Sequence, residues 1–145
     1  MRLVIDANIL VAELIRQRGR ELIVNPVWEL YIPEKQWEES CYELNKRIKI
    51  MIEKDIFSSE TGQNLLKDAL SLAETNVCLI PLEFYSAYKN IALARIPRDP
   101  DDWQTVALAL FLNAGIWTHD KDFLGCGMAT WTTDTLISYL TVENN

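Results

Sequence analysis

The chain has 145 residues, 49% of them hydrophobic and 24% charged, with 5 glycines and 5 prolines; about one domain of this size buries roughly 68% of the surface it exposes when unfolded, and the composition excludes a disordered or low-complexity polymer. The formal net charge of −7 repels phosphate backbones, so the chain is no basic nucleic-acid wrapper, and any nucleic acid is held locally or through a divalent cation. Three widely spaced cysteines, Cys41, Cys78 and Cys126, with the single histidine His119, exclude a zinc site and a disulfide framework.

Residues 3–5, Leu-Val-Ile, form an apolar run that stops at Asp6-Ala7-Asn8 before an apolar stretch over residues 9–15. This is the pattern of a buried parallel strand feeding a helix. Residues 16–20 read as a polar break and 21–24 as a short second helix, ended by Asn25-Pro26. Residues 29–33 predict a second strand, with Pro33 well placed at the first turn of the next helix. From residue 34 to about 54, Trp37, Cys41, Leu44, Ile48 and Met51 or Ile52 recur at spacings of three and four, one buried face of a long helix. A serine cap at residues 58–59 opens another helix to residue 74. Residues 77–81 predict a third strand, 83–94 a helix, and 96–102 a loop dense in acid and proline. A helix opened by Asp101 or Asp102 as a cap runs to Leu112, followed by a strand over 115–118. A fifth strand at 129–132 and a last helix from Thr133 or Asp134 to about Leu140 complete the series.

Strands alternating with helices imply right-handed crossovers and a parallel sheet covered on both faces. The expected fold is a single domain over residues 1–145, a three-layer α/β/α sandwich with a mainly parallel central sheet. The first residues lack the apolar core of a signal peptide, and the longest apolar run, residues 106–112, is too short to span a bilayer. The expectation is therefore a cytoplasmic protein without membrane contact.

Ligands of open α/β sheets bind outside the carboxyl ends of the strands. Asp6 lies there after the first strand and Asp120 and Asp122 after the fourth. Asp99, Asp101 and Asp102 lead into a helix whose N-terminus points to the same edge, and Glu38 and Glu39 lie early in the helix after the second strand. Each acid alone is more often a turn or cap, as expected for Asp134 and for Asp99-Pro100-Asp101-Asp102. Their convergence is different. Two carboxylates about 4 Å apart repel by about 1 kcal/mol in water and about 4 kcal/mol at an effective dielectric of 20. Lys121 and Arg98 are too few to neutralise so many acids, so Mg²⁺ or Mn²⁺, which prefer oxygen ligands, is the economical counter-charge.

These residues resemble the PIN domain family, metal-dependent nucleases that include the VapC toxins of bacterial toxin–antitoxin pairs. Residues 3–10, Leu-Val-Ile-Asp-Ala-Asn-Ile-Leu, look like the family's first strand and first acid. Residues 99–110, followed by residues 116–123, are similar to its third and fourth acid motifs. The resemblance implies four catalytic acids, Asp6, Glu39, Asp102 and Asp120, with Glu38 competing for the second place and Glu43 as an outsider. It further implies Asn8, Asp99, Thr118 and Asp122 as accessories, and Mg²⁺ or Mn²⁺ held by Asp6, Asp102 and Asp120. The implied reaction is hydrolysis of phosphodiester bonds in single-stranded RNA by a metal-activated water. An antitoxin protein and a second copy of the chain, in a homodimer, are the implied partners.

Two competing readings have their own signatures. A catalytically silent PIN-like module binding RNA or protein would have lost acids, yet every family position holds a candidate. A phosphatase with an aspartyl nucleophile would carry Asp-x-Asp after the first strand, where this chain has Asp6-Ala7-Asn8. His119 is expected to be a hydrogen-bonding residue rather than a general base. Arg16, Arg18 and Arg20, and Lys46, Arg47 and Lys49, form two basic knots that are either solvated faces or phosphate contacts. Trp28, Tyr31 and Trp103 are core residues or stacking platforms.

Overall fold

The computed structural model describes residues 1–144; Asn145, the last residue of the expected 1–145 domain, lies outside them. The sheet has five strands in the order β3-β2-β1-β4-β5, all parallel. They are β1 (Arg2–Ile5), β2 (Glu29–Pro33), β3 (Val77–Ile80), β4 (Gly115–Trp117) and β5 (Thr130–Trp131). The helices are α1 (Ala7–Ile15), α2 (Gln17–Ile23), α3 (Glu34–Glu53), α4 (Ser59–Asn76), α5 (Lys89–Arg95), α6 (Trp103–Leu112) and α7 (Thr133–Glu143).

Period-2 alternation of buried side chains divides the core into two layers. Leu3, Ile5, Leu30, Ile32 and Trp117 pack on one face with α1, α2, α3, α4 and α7. Val4, Tyr31 and Ile116 face the other way, into α5, α6 and Phe123. The three-layer sandwich is as expected, and β1 sits at its centre because its three apolar residues are buried on both faces.

Several local expectations need correction. Residues 17–20 are not a break but the opening of α2, because Gly19 lets the helix close against α1: a Cβ there would collide with the backbone oxygen and Oε2 of Glu13. Residues 82–88 form two 3-10 turns, Leu82–Phe84 and Ser86–Tyr88, and the α-helix begins only at Lys89. Asp134 is not the cap of α7. Thr132 is, in a reciprocal capping box with Thr135. Ser58 does cap α4, accepting from the Thr61 amide at 3.1 Å.

The long helix α3 departs from its expected stripe in an instructive way. Trp37 and Cys41 are half-buried, whereas the fully buried row is Gln36, Ser40, Leu44 and Ile48. Its first turns therefore bury polar side chains against the carboxyl edge of the sheet.

Candidate active site

β1 ends at Asp6, whose amide continues the sheet by donating to the Trp117 carbonyl at 3.0 Å. Its carbonyl already accepts from Leu10 in α1 at 2.9 Å. The side chain is thus held at the point where strand becomes helix, and it is only 8% exposed. Thr118, just past β4 and also buried, donates its hydroxyl to Asp6 Oδ2 at 2.8 Å. The same hydroxyl oxygen accepts from the Asp120 amide at 3.0 Å. Asp120 in turn accepts from the Asp122 amide at 2.9 Å through Oδ1. One threonine therefore ties the two strand-end acids to each other.

Asp102 arrives from the other side of the sheet. Pro100 opens a 3-10 turn, and the Asp102 amide donates to the Asp99 carbonyl at 3.1 Å. Asp102 stands at the N-cap position of α6, yet its carboxylate makes no capping hydrogen bond. The expected cap is instead turned toward other acids. Carboxylate oxygens of Asp99, Asp102 and Asp120 lie within 4.8 Å of one another. Asp101, on the same turn, is exposed.

A cavity of ≈ 80 Å³ completes the edge, lined by Asp6, Asn8, Gln36, Glu39, Ser40, Glu43 and Asp102 among others. Glu39 therefore lines the same cavity as Asp6 and Asp102, and Glu43 joins it one turn on. Glu38 is absent from that cavity; it lines two neighbouring depressions, one with Tyr85 and Trp103 and one with Asn8, Glu39 and Glu43. Asp122 has a different setting, with one oxygen 3.8 Å from Arg98 Nη1.

The electrostatics follow from this crowding. Burial pushes the Asp6 carboxyl up; the Thr118 hydroxyl and the amides of Asn8 and Ala7 oppose the rise, and the Asp120 charge adds to it. Asp102 is pushed up to about 7 by burial first, then by the charge of Asp99, that of Asp6, a shared hydrogen bond with Asp99 and the charge of Asp120. Without a counter-charge, the site holds a proton on Asp102 near neutral pH.

The residues fit a hard divalent cation. Every donor is an oxygen, and the cavity has room for several water-sized occupants. Gln36 adds an independent indication. Its Nε2 donates to Gln104 Oε1 at 3.3 Å, while its own Oε1 is buried with no hydrogen-bond partner. A hydrated cation among these acids would supply the missing water protons.

Gln36 and Ser40 are the site residues that sequence reasoning missed. Extending the row Ile48, Leu44 backward by fours reaches Ser40 and Gln36, a signal hidden because both are polar. The rest of the sequence reading of this edge is answered residue by residue. His119 Nε2 accepts from the Thr133 amide at 3.1 Å, so it fastens the start of α7. Trp28 is core, 4% exposed, with its Nε1 donating to the Leu22 carbonyl at 2.8 Å. Trp103 is half-buried beneath Lys89, whose Nζ lies 5.0 Å from its ring centre. The Tyr31 hydroxyl donates to Glu29 at 2.8 Å.

Comparison with known proteins places this geometry. No curated protein matches the chain in sequence. A chain of a toxin-antitoxin complex from Klebsiella pneumoniae superposes with a TM-score of 0.58 at 16% identity, over 85% of this chain and 91% of that one. PAE2754 from Pyrobaculum aerophilum gives a TM-score of 0.59 at 17% identity, over 98% and 90%. At such identities the likeness is one of fold. The sequence profile of the PIN domain goes further, matching residues 4–141 from inside β1 to inside α7, and by it the chain belongs to the PIN domain family.

Proposed function

We propose that the protein is a Mg²⁺- or Mn²⁺-dependent endoribonuclease that hydrolyses phosphodiester bonds of single-stranded RNA. The observation that carries this reading is the gathering of acids from four separate segments at one edge: Asp6, Glu39 and Asp102 line one small cavity that has no lysine or arginine in its wall, and Asp99 and Asp120 cluster with Asp102. Asp6, Asp102 and Asp120 would hold the metal, with Asp99 within reach of the same position and Glu39 across the cavity. When bound, the ion polarises the phosphate and makes water a competent nucleophile near neutral pH.

The chain's own residues do the rest. Thr118 holds the Asp6 carboxylate and the Asp120 backbone amide through one hydroxyl. The Asp122 amide fixes the Asp120 carboxylate from behind. Asn8, on the cavity wall, would donate to a phosphate oxygen. Asp102 must give up its proton to take a cation, so metal affinity rises as pH passes through about 7.

The fold likeness to a toxin-antitoxin complex supports the further reading of a toxin governed by an antitoxin. An arginine from such a partner can pair bidentately with the acid rim. The cytoplasm is the proposed setting; Cys41, Cys78 and Cys126 are all free thiols, as in a reducing compartment. Among the described residues no helix is long and apolar enough to cross a membrane. A homodimer is proposed through the face where Phe84 and Phe111, 53% and 41% exposed, meet at 6.4 Å between ring centres. Light scattering on Phe84→Glu/Phe111→Glu should give monomer where the native protein gives dimer.

The nuclease reading is tested on a gel with purified protein and single-stranded RNA. Cutting should require Mg²⁺ or Mn²⁺ and stop with EDTA, and Asp120→Asn should lower the rate by at least about a hundredfold. Metal-independent cutting, or full activity in the variant, would refute it.

A further inference from the structure

Three depressions on the surface share walls. The acid cavity and a shallow groove of ≈ 460 Å³ have Asn8, Glu39 and Glu43 in common. That groove and a cleft of ≈ 560 Å³ between α3 and α4 have Tyr42 in common. The cleft continues past Lys46 and Lys49 to a single carboxylate, Glu53, with Asn45 and Gln63 offering side-chain amides. Along α3 the residues at 39, 42, 46 and 49 follow spacings of three and four and so share one face. Lys46 lies about 10 Å and Lys49 about 15 Å along the helix axis from Glu39.

The character of this path changes along its length. It starts at carboxylates, passes an aromatic ring that is 69% exposed, and reaches two exposed ammonium groups. A large exposed ring beside a cation-binding cavity is a stacking surface for a base, and lysines beyond it are points for phosphates. The other basic knot is differently employed: Arg20 Nη1 donates to the Leu14 carbonyl at 2.9 Å, and Arg16 stands 3.9 Å from the buried Glu13.

Resting on the nuclease reading, we infer that single-stranded RNA enters the acid cavity along the outer face of α3, stacking a base on Tyr42 and setting upstream or downstream phosphates on Lys46 and Lys49. The path solves the problem posed by the −7 net charge. Phosphates are captured by cations a few nucleotides from the acids, and only the scissile one approaches them.

Fluorescence anisotropy with a short labelled single-stranded RNA, in EDTA so that no cutting occurs, tests the track alone. Tyr42→Ala should weaken binding roughly 5- to 150-fold with the salt dependence unchanged, and Tyr42→Phe should restore it. Lys46→Ala/Lys49→Ala should weaken binding and flatten the plot of log affinity against log salt by about 1.4, or about 0.7 for each lost phosphate contact. Arg16→Ala/Arg18→Ala should bind as the native protein does. Native affinity in both α3 variants would overturn the track while leaving the nuclease reading intact, and would free the α3–α4 cleft for a partner's polypeptide. Failure of the native protein to bind any single-stranded RNA in EDTA would overturn the track, while the gel assay with Mg²⁺ or Mn²⁺ decides the nuclease reading separately.

Discussion

Two buried acids ride on the same helix, about two turns apart, and they have opposite fates. Asp6, at the start of α1, is 8% exposed, and Glu13, near its end, is 1% exposed. Glu13 Oε1 accepts from the Thr133 hydroxyl at 3.1 Å, and that hydroxyl accepts from Trp117 Nε1 at 3.1 Å. Arg16 is its cationic neighbour. With a hydroxyl and a guanidinium as its partners, Glu13 joins α1 to β4 and α7 as a piece of architecture. Asp6 is equally enclosed, but its neighbours are Asp102 and Asp120. Burial of a carboxylate does not identify a site. Enclosure in the company of like charges does, because that arrangement costs stability unless something else is bound.

The comparison is sharpest at Thr118, the hydroxyl that serves both strand-end acids. Thr118→Val keeps the shape but removes the bond to Asp6 Oδ2 and the acceptor for the Asp120 amide. Mn²⁺ affinity, measured by calorimetry, should fall about 10- to 100-fold. An unchanged affinity would mean that the two acids do not act as a unit.

Glu13→Ala attacks the other member of the pair. It strips the Thr133 hydroxyl of its acceptor and should cost about 1–3 kcal/mol, or roughly 2–4 °C in Tm for each kcal/mol. RNA cutting at a permissive temperature should stay within about twofold of native. Loss of cutting as deep as that of Asp120→Asn, in a folded protein, would break the distinction between the two acids.

The smallest expected effect is a gain. The Asp102 carboxyl stands at about 7 in the folded chain against an ordinary value of 3.8, so between those pH values the folded state holds more protons than the unfolded. Stability of the metal-free protein therefore declines as pH rises through this window and levels off above about 7. Asp102→Asn lacks that decline. In EDTA its Tm should match the native value near pH 4 and exceed it by a few degrees at pH 8, with the order reversing when Mn²⁺ is added. A constant difference across pH would assign the stabilisation to another cause.

How much of this was legible in the sequence depends on the signal each element carries. β1, β2 and β3 announce themselves as short apolar runs closed by Asp6, Pro33 and Pro81. The gathering of acids follows from where such runs end, since a parallel sheet brings all its carboxyl ends to one edge. The second half of α2 is legible as a short helix, but its opening over residues 17–20 is hidden because it rests on a glycine against α1, a tertiary accommodation that local propensity counts as a break. The turns over residues 82–88 carry an apolar pattern that suits a helix but pack as single turns against α6. Gln36 and Ser40 were missed because burial of polar residues has no signature of its own, and Tyr42 because an exposed tyrosine on a charged helix face reads as ordinary surface. The choice of Glu39 over Glu38 rested on resemblance, and the cavity that Glu39 shares with Asp6 supplies a spatial argument that chain order lacks.

The position of β1 carries a consequence for the making of the protein. This strand is made long before one of its neighbours in the sheet, β4, with Leu3 opposite Gly115 and Ile5 opposite Trp117. At a translation rate of about 5–20 residues per second, the first strand waits on the order of 5–25 s for that neighbour. Asp102 and Asp120 are among the last acids to be made, and Thr118, which joins Asp6 to Asp120, is born with them. A nascent chain that stops before β4 therefore lacks the hydroxyl that unites Asp6 with Asp120, and the acid edge stays incomplete until residue 120 has been made. On the proposed reading of a ribonuclease, the order of the strands withholds the complete site while the chain is still on the ribosome.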